Sequence, residues 1–290
     1  MRLMQNSFTR VTLALDIVRT ITDGPYRGYH ELGAIKHQID LCDTVGVEDA
    51  GADSVECDDP AVPTDGRNVC LKAAGLVRKR SGLERRVRIT ITKRIPVMGG
   101  LAGGSANAAT TIALLNELWG LGLTRPEFID LGRAAGMDVP YYFIGDTAFD
   151  SEAGMRLDPI ATPCSFVFVL ACPDFGVSTK EAYAGIDYGA AGRRPAMTAQ
   201  LRKALEAGDT GEAVRFFHND FECSVFKAFP RLQGIRQELL DAGCSAAILT
   251  GSGSTVIGVA RDMTHAKAVQ KDVTCRTILS STLSGRPVQN

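Results

Sequence analysis

The chain has no excess of charge of either sign: 32 basic side chains face 33 acidic ones, a formal net charge of −1 over 290 residues. That balance excludes a global attraction to nucleic acid or to an anionic membrane, so any phosphate recognition has to be local. Long hydrophobic runs are also missing. No stretch reaches the roughly 18 apolar residues of a membrane helix. Arg10, Asp16 and Arg19 interrupt the segment where a secretory h-region would lie. A cytoplasmic protein is the expectation, with no membrane and no nucleic acid among its partners. The eight cysteines form no CxxC pair, and no histidine stands at zinc-site spacing from one of them. Free thiols, several of them inside apolar runs, are expected. The sequence indicates neither an oligomeric state nor a set of metal ligands.

What is present is an ordinary globular balance, 45% apolar and 22% charged residues. The length favours about two domains, since one core rarely organises more than roughly 250–300 residues. Val11, Leu13, Leu15 and Ile17 alternate as in a half-buried strand. The Asp-, Gly- and Pro-rich stretch 49–67 predicts a surface connection. A helix is predicted over 68–80 and a strand over 87–92. Ala108, Ile112, Leu115 and Trp119 then mark one face of a helix that stops at Gly120. Thr124 and Glu127 have the spacing of a capping box. Beyond Pro159 the pattern restarts, with strands over 166–171, 246–249 and 256–260 and helices over 197–207, 211–226 and 230–242. A boundary near residue 160 divides the chain into a domain over 1–160 and a smaller α+β domain over 161–290.

The run Pro96-Val97-Met98-Gly99-Gly100-Leu101-Ala102-Gly103-Gly104-Ser105-Ala106 joins a strand to a helix. Glycines let the backbone approach a bound group closely, and a helix start offers unpaired N–H groups with a partial positive charge. Together they suit the phosphates of a nucleotide. A tight helix–sheet turn is the plainer alternative. The run is neither a Walker A loop nor a dinucleotide fingerprint, because it lacks Gly-Lys-Ser/Thr and the G-x-G-x-x-G spacing.

This loop resembles the phosphate motif of the GHMP kinase superfamily, and the likeness continues along nearly the whole chain in order. It covers Thr9 to Val18, Gly28-Tyr29-His30-Glu31-Leu32, Gly136-Met137-Asp138-Val139-Pro140, Val177 to Tyr183, His218-Asn219-Asp220 and Leu249 to Val256. The resemblance implies a two-domain α+β fold, a ribosomal protein S5 domain 2-like N-terminal domain followed by a ferredoxin-like one. It implies ATP as co-substrate, with Mg2+ expected, bound by Pro96 to Ala106. Within the superfamily the likeness is to the branch that phosphorylates a small molecule, a cytidine diphosphate-linked polyol of the non-mevalonate isoprenoid route.

Residue by residue, the resemblance makes Asp138 the catalytic base. It puts Tyr29, His30 and Tyr183 on the cytosine ring. It also brings Gly251, Ser252 and Gly253 toward the transferred phosphate. Taken alone, Asp138 reads as a turn residue, His30 and Tyr183 as strand or core residues, and Gly251 to Ser254 as a hairpin turn. His218 and His265 read as structural. The family pattern has Lys and Asn on the first strand, where this chain has Arg10 and Thr12; Arg10 is then the cation expected beside Asp138. Ala102 and Asp146 stand where glycine is usual, and Ala106 where serine is usual. A GHMP kinase for another small alcohol, or a nucleotide-binding pseudokinase, are the alternatives.

Overall fold

Alternating apolar residues at the start of the chain build a strand far longer than their own span. In the computed structural model, which describes residues 1–23, 27–28, 30–186, 188–189 and 191–283, β1 (Arg2–Thr20) pairs antiparallel with β2 (His30–Ala50) from Arg2↔Glu48 to Thr20↔His30. Both flanks of this ribbon are covered, so Val11, Leu13, Ala14, Leu15 and Ile17 are all buried and simple alternation breaks down.

The chain then adds β3 (Ser54–Cys57), α1 (Val69–Ser81), β4 (Arg86–Thr92), α2 (Gly103–Trp119), α3 (Arg125–Ala135), a 3₁₀ turn (Val139–Phe143), β5 (Thr147–Ser151) and β6 (Arg156–Pro159). The second half comprises β7 (Val167–Cys172), α4 (Thr179–Ala184), α5 (Pro195–Ala207), α6 (Thr210–Arg215), β8 (His218–Asn219), α7 (Glu222–Ala228), α8 (Pro230–Asp241), β9 (Ala247–Leu249), β10 (Val256–Ala260), α9 (Met263–Asp272) and β11 (Arg276–Ser281). None of these helices is long and apolar enough to cross a membrane.

The first sheet has the order β3-β4-β2-β1-β8, with β5 and β6 continuing from β2. The second is fully antiparallel, β11-β7-β10-β9. Counted within itself that order is 4-1-3-2, with α8 before its second strand and α9 before its last, the ferredoxin-like arrangement.

Three apolar cores follow. One packs α1, α2 and α3 on the face carrying Val45, Val47, Ile89 and Ile91. The next sets Val11, Leu13, Ile35 and Ile39 of the β1–β2 ribbon against Phe166, Phe168 and Leu170 of the second sheet. In the third, α8 and α9 cover that sheet through Leu232, Ile235, Leu239 and Val269.

Two sequence expectations need correction. The 49–67 connection contains β3, which pairs parallel with β4 and buries Val55; a single fully buried apolar side chain among acids and glycines gives no periodicity to read. The single helix expected over 211–226 is two helices separated by β8, whose His218 and Asn219 pair with Ala14 and Leu15. Apolar spacing cannot see that interruption, because Phe217 and Phe221 are buried on either side of it.

Candidate active site

A cleft of about 970 Å³ opens between the two glycine-rich loops, floored by β1 and β2. Pro96 to Gly104 line it. Helix α2 opens at Gly103 after Ala102, with no side-chain cap and no acid in its first turn, so those N–H groups are left for a ligand. Ala106 is buried beneath, in the first core. Gly251, Ser252 and Gly253 face the loop from the other side. Gly100 (φ 74°) and Gly251 (φ 56°) meet backbone to backbone. A side chain at Gly100 would collide with the Thr250 carbonyl, and one at Gly251 with the Gly100 carbonyl. Asn219 fixes the second loop by donating to the carbonyls of Leu249 (2.7 Å) and Gly251 (2.8 Å). That gives the His218-Asn219-Asp220 segment a positioning task. His218 itself is buried, between Asp16 and the Phe216 carbonyl.

Asp138 stands at the head of the 3₁₀ turn. Its neighbours Tyr141 and Tyr142 are sunk in the core and anchored by hydroxyl bonds to the carbonyls of Asp146 (2.7 Å) and Ala102 (3.2 Å). The carboxylate therefore projects from a fixed base into the cleft, with 34% of its side-chain surface exposed. Arg10 reaches it from β1, Nη2 to Oδ2 at 3.1 Å. Arg10 also donates to Thr12 Oγ1 (3.0 Å) and to the Gly100 carbonyl (2.9 Å). The two first-strand departures from the family pattern are thus bonded to each other, and they tie β1 to the phosphate loop.

A second cation is present that sequence reasoning missed. Lys36, opposite Thr12 on β2, donates from Nζ to Asp138 Oδ1 at 2.5 Å and also pairs with Asp150 on β5. Burial alone would raise the Asp138 pKa, but the adjacent Lys36 and Arg10 outweigh it and hold the carboxyl well below the usual range. Burial works against the Lys36 ammonium, and Asp138 and Asp150 more than restore it. The signal that could have found Lys36 is a lone lysine inside the strand Leu32-Gly-Ala-Ile-Lys36-His-Gln-Ile39. A long cation in a buried strand needs an acid within reach.

At the far end of the cleft His30 stacks on Tyr183, ring centroids 4.0 Å apart and planes 16° from parallel. Tyr188 stacks beyond it at 5.7 Å and brings its hydroxyl to 3.2 Å from His30 Nδ1. No third ring fits between His30 and Tyr183 as they stand, so a base must part them or use an outer face. Burial lowers the His30 pKa, which keeps the imidazole neutral and able both to donate and to accept. Tyr29 lies outside the described residues. Tyr188 is a further residue the sequence did not single out.

This geometry, an anion-binding helix start facing a clamped carboxylate, agrees with comparison to known proteins. The family profiles described as GHMP kinases N terminal domain and GHMP kinases C terminal match residues 68–146 and 201–277. The chain is 38% identical over 264 residues to the 4-diphosphocytidyl-2-C-methyl-D-erythritol kinase of Gloeobacter violaceus, covering 90% of this chain and 86% of the relative. It is 38% identical over 252 residues to the enzyme of that name from Shouchella clausii, covering 86% and 83%.

The chain belongs to the GHMP kinase family.

Among solved structures it is similar to a 4-(cytidine 5′-diphospho)-2C-methyl-D-erythritol kinase, with a TM-score of 0.80 at 27% identity over 98% of this chain and 100% of the other. A homoserine kinase from Cytophaga hutchinsonii superposes with a TM-score of 0.72 at 17% identity, over 95% and 94%, a likeness of fold alone. The two-domain GHMP kinase fold explains the layout: the first sheet carries the phosphate loop, and the ferredoxin-like half brings Gly251 to Gly253 across to it. As a GHMP kinase the chain is an ATP-dependent enzyme acting on a small molecule.

Proposed function

We propose that the chain transfers the γ-phosphoryl group of ATP to the 2-hydroxyl of 4-diphosphocytidyl-2-C-methyl-D-erythritol, giving the 2-phosphate and ADP in the non-mevalonate isoprenoid pathway. The observation that carries this reading is Asp138, held by cations from two strands and facing the phosphate loop, in a chain so similar to kinases of that name.

The helix start and the backbone of Pro96 to Ala106 hold the nucleotide phosphates, and Gly251, Ser252 and Gly253 approach them from the opposite wall. Asp138 accepts the proton as the substrate O–H bond breaks and the new O–P bond forms. The bond to the β-phosphate oxygen breaks with its electron pair going to ADP, and Asp138 passes the proton on to solvent. A carboxylate of low basicity is adequate, because phosphoryl transfer rests mainly on positioning and charge stabilisation. Arg10 supplies a fixed charge for the developing oxyanion. Tyr29, His30 and Tyr183 receive the cytosine ring, with Tyr188 added as a fourth aromatic wall.

Magnesium belongs to the nucleotide substrate in this scheme. Among the described residues no group of three or more His, Cys, Asp or Glu side chains gathers into a cage. The cleft therefore suits an ion carried on phosphates, which is the ordinary habit of Mg2+. A cytoplasmic setting fits an enzyme of nucleotide-linked substrates, and the two halves divide near residue 160, between β6 and β7.

Coupled ADP-release assays with the cytidylyl alcohol, mevalonate, homoserine or no acceptor test the reading. Release that depends on the cytidylyl alcohol is expected. Equal release with another alcohol, or none with any, contradicts it.

A further inference from the structure

Around Asp138 the charges are four, not two. Lys36 is buried, with 7% of its side chain exposed, and its one ammonium contacts both Asp138 and Asp150. Asp150 has 11% of its side chain exposed, and its second oxygen, Oδ1, is buried with no hydrogen-bond partner. Such a carboxylate has an acceptor to spare. With Arg10, the cluster sums to zero while Asp138 is ionised.

If Asp138 takes a proton, two cations face a neutral acid, which opposes the transfer. Asp150 relieves half of that. The Lys36 ammonium already touches it, so pairing passes from one carboxylate to the other without a new contact being made. Resting on the phosphoryl-transfer reading above, we infer that Lys36 and Asp150 are positioning residues of the reaction. Lys36 clamps Asp138 in its attacking geometry, and Asp150 keeps Lys36 compensated while Asp138 carries the hydroxyl proton. Arg10 cannot share this task, since it bonds Asp138, Thr12 and Gly100 and touches no second acid.

The test uses kinetics on the full chain, with alcohol-dependent ADP release by the parent as its control. A parent that turns over no alcohol rejects the functional reading; an active parent leaves the variants to judge the inference. Lys36→Met is expected to lower kcat about 10²–10³-fold while KM for both substrates changes less than about threefold. The groups facing Asp138 are Arg10 on β1, Lys36 on β2, Asp150 on β5, Tyr141 and Tyr142 on the 3₁₀ turn, and Tyr183 on α4. Removing the ammonium therefore moves the acid limb of the kcat profile to higher pH. Asp150→Asn, nearly isosteric, should lose about tenfold or more in kcat, with no upward move of that limb.

A merely structural ion pair would be replaceable by apolar groups. The double variant Lys36→Met/Asp150→Leu is thus expected to melt no lower than Lys36→Met and yet stay as slow. A double variant within about threefold of the parent kcat overturns the inference. So does an unmoved acid limb in Lys36→Met, or parent-like kcat in Asp150→Asn, which decides the matter should the double variant not fold.

Discussion

Two carboxylates on neighbouring elements each meet a lysine, and they are put to opposite uses. Asp43, on β2, has no exposed side-chain surface. It pairs with Lys93 and accepts from the backbone N–H of Arg94 (2.7 Å) and Ile95 (2.9 Å) and from Asn107 Nδ2 (2.9 Å). Asp138 meets only cationic side chains and leaves a third of its surface open to the cleft. The first is filled by fixed donors from β4's end and from α2, so it anchors the root of the phosphate loop. The second is fixed in place but unfilled, so it can still take a proton. A buried acid with backbone partners is read as architecture; one with charges behind it and space in front is read as chemistry.

The sharpest way to break that contrast is Asp138→Asn. It keeps the shape and leaves Lys36 paired with Asp150, so the fold should persist while kcat falls about 10²–10⁴-fold, as for loss of a general base. Steady-state kinetics beside an unchanged circular dichroism spectrum checks this. Asp43→Ala should do the reverse. It strands Lys93 without a counter-charge and is expected to cost about 3–5 kcal/mol in denaturant unfolding. An Asp43→Ala protein as stable as the parent would remove the anchor.

The contrast extends to adjacent residues of β2. Lys36 points to the cleft and stays charged. His37 points the other way, its ring edge-on to Phe166, and burial pushes its pKa down to about 4. Being depressed from an ordinary value of about 6.5, it contributes stability above pH 6.5 that is lost as pH falls through 4. His37→Gln should make the decline in unfolding free energy from pH 7 to pH 4 shallower by on the order of 3 kcal/mol. An equally steep decline would show that His37 is not held neutral.

The smallest effect lies in the loop itself. Ala102 sits at φ 52°, a left-handed conformation natural to glycine, as does Asp146 at φ 47°. Ala102→Gly relieves that strain at some cost in unfolded-chain entropy, for a net gain of about 0.5–1 kcal/mol by thermal denaturation. A loss would mean that the Ala102 methyl packs usefully.

How much of this the sequence disclosed depends on range. Local chemistry was legible. The Thr124–Glu127 capping box is formed, the helix expected over 68–80 is α1 with Asn68 as its cap, and the glycine run does open α2. Asp138 and Arg10 came from family likeness alone, since a turn aspartate and a strand arginine carry no signal of their meeting. Lys36 and Asp150 were invisible because 114 positions separate them and only the β2–β5 register joins them. Asn219 was quoted as likeness without a task, which emerges only where β8 lies against β1 beneath the second glycine loop. The thiols needed no partner: burial pushes Cys70 up to about 12 and Cys172 and Cys244 to about 11, leaving them protonated and inert.

The account stands on where the phosphoryl group goes. The 2-carbon of the proposed acceptor carries the methyl group and no hydrogen. Proton-coupled ³¹P NMR of the product formed from ATP and the cytidylyl alcohol should therefore show a new phosphomonoester as a singlet. A resonance split by carbinol protons would place the phosphate on another hydroxyl, and the absence of any new monoester would contradict kinase activity toward this alcohol.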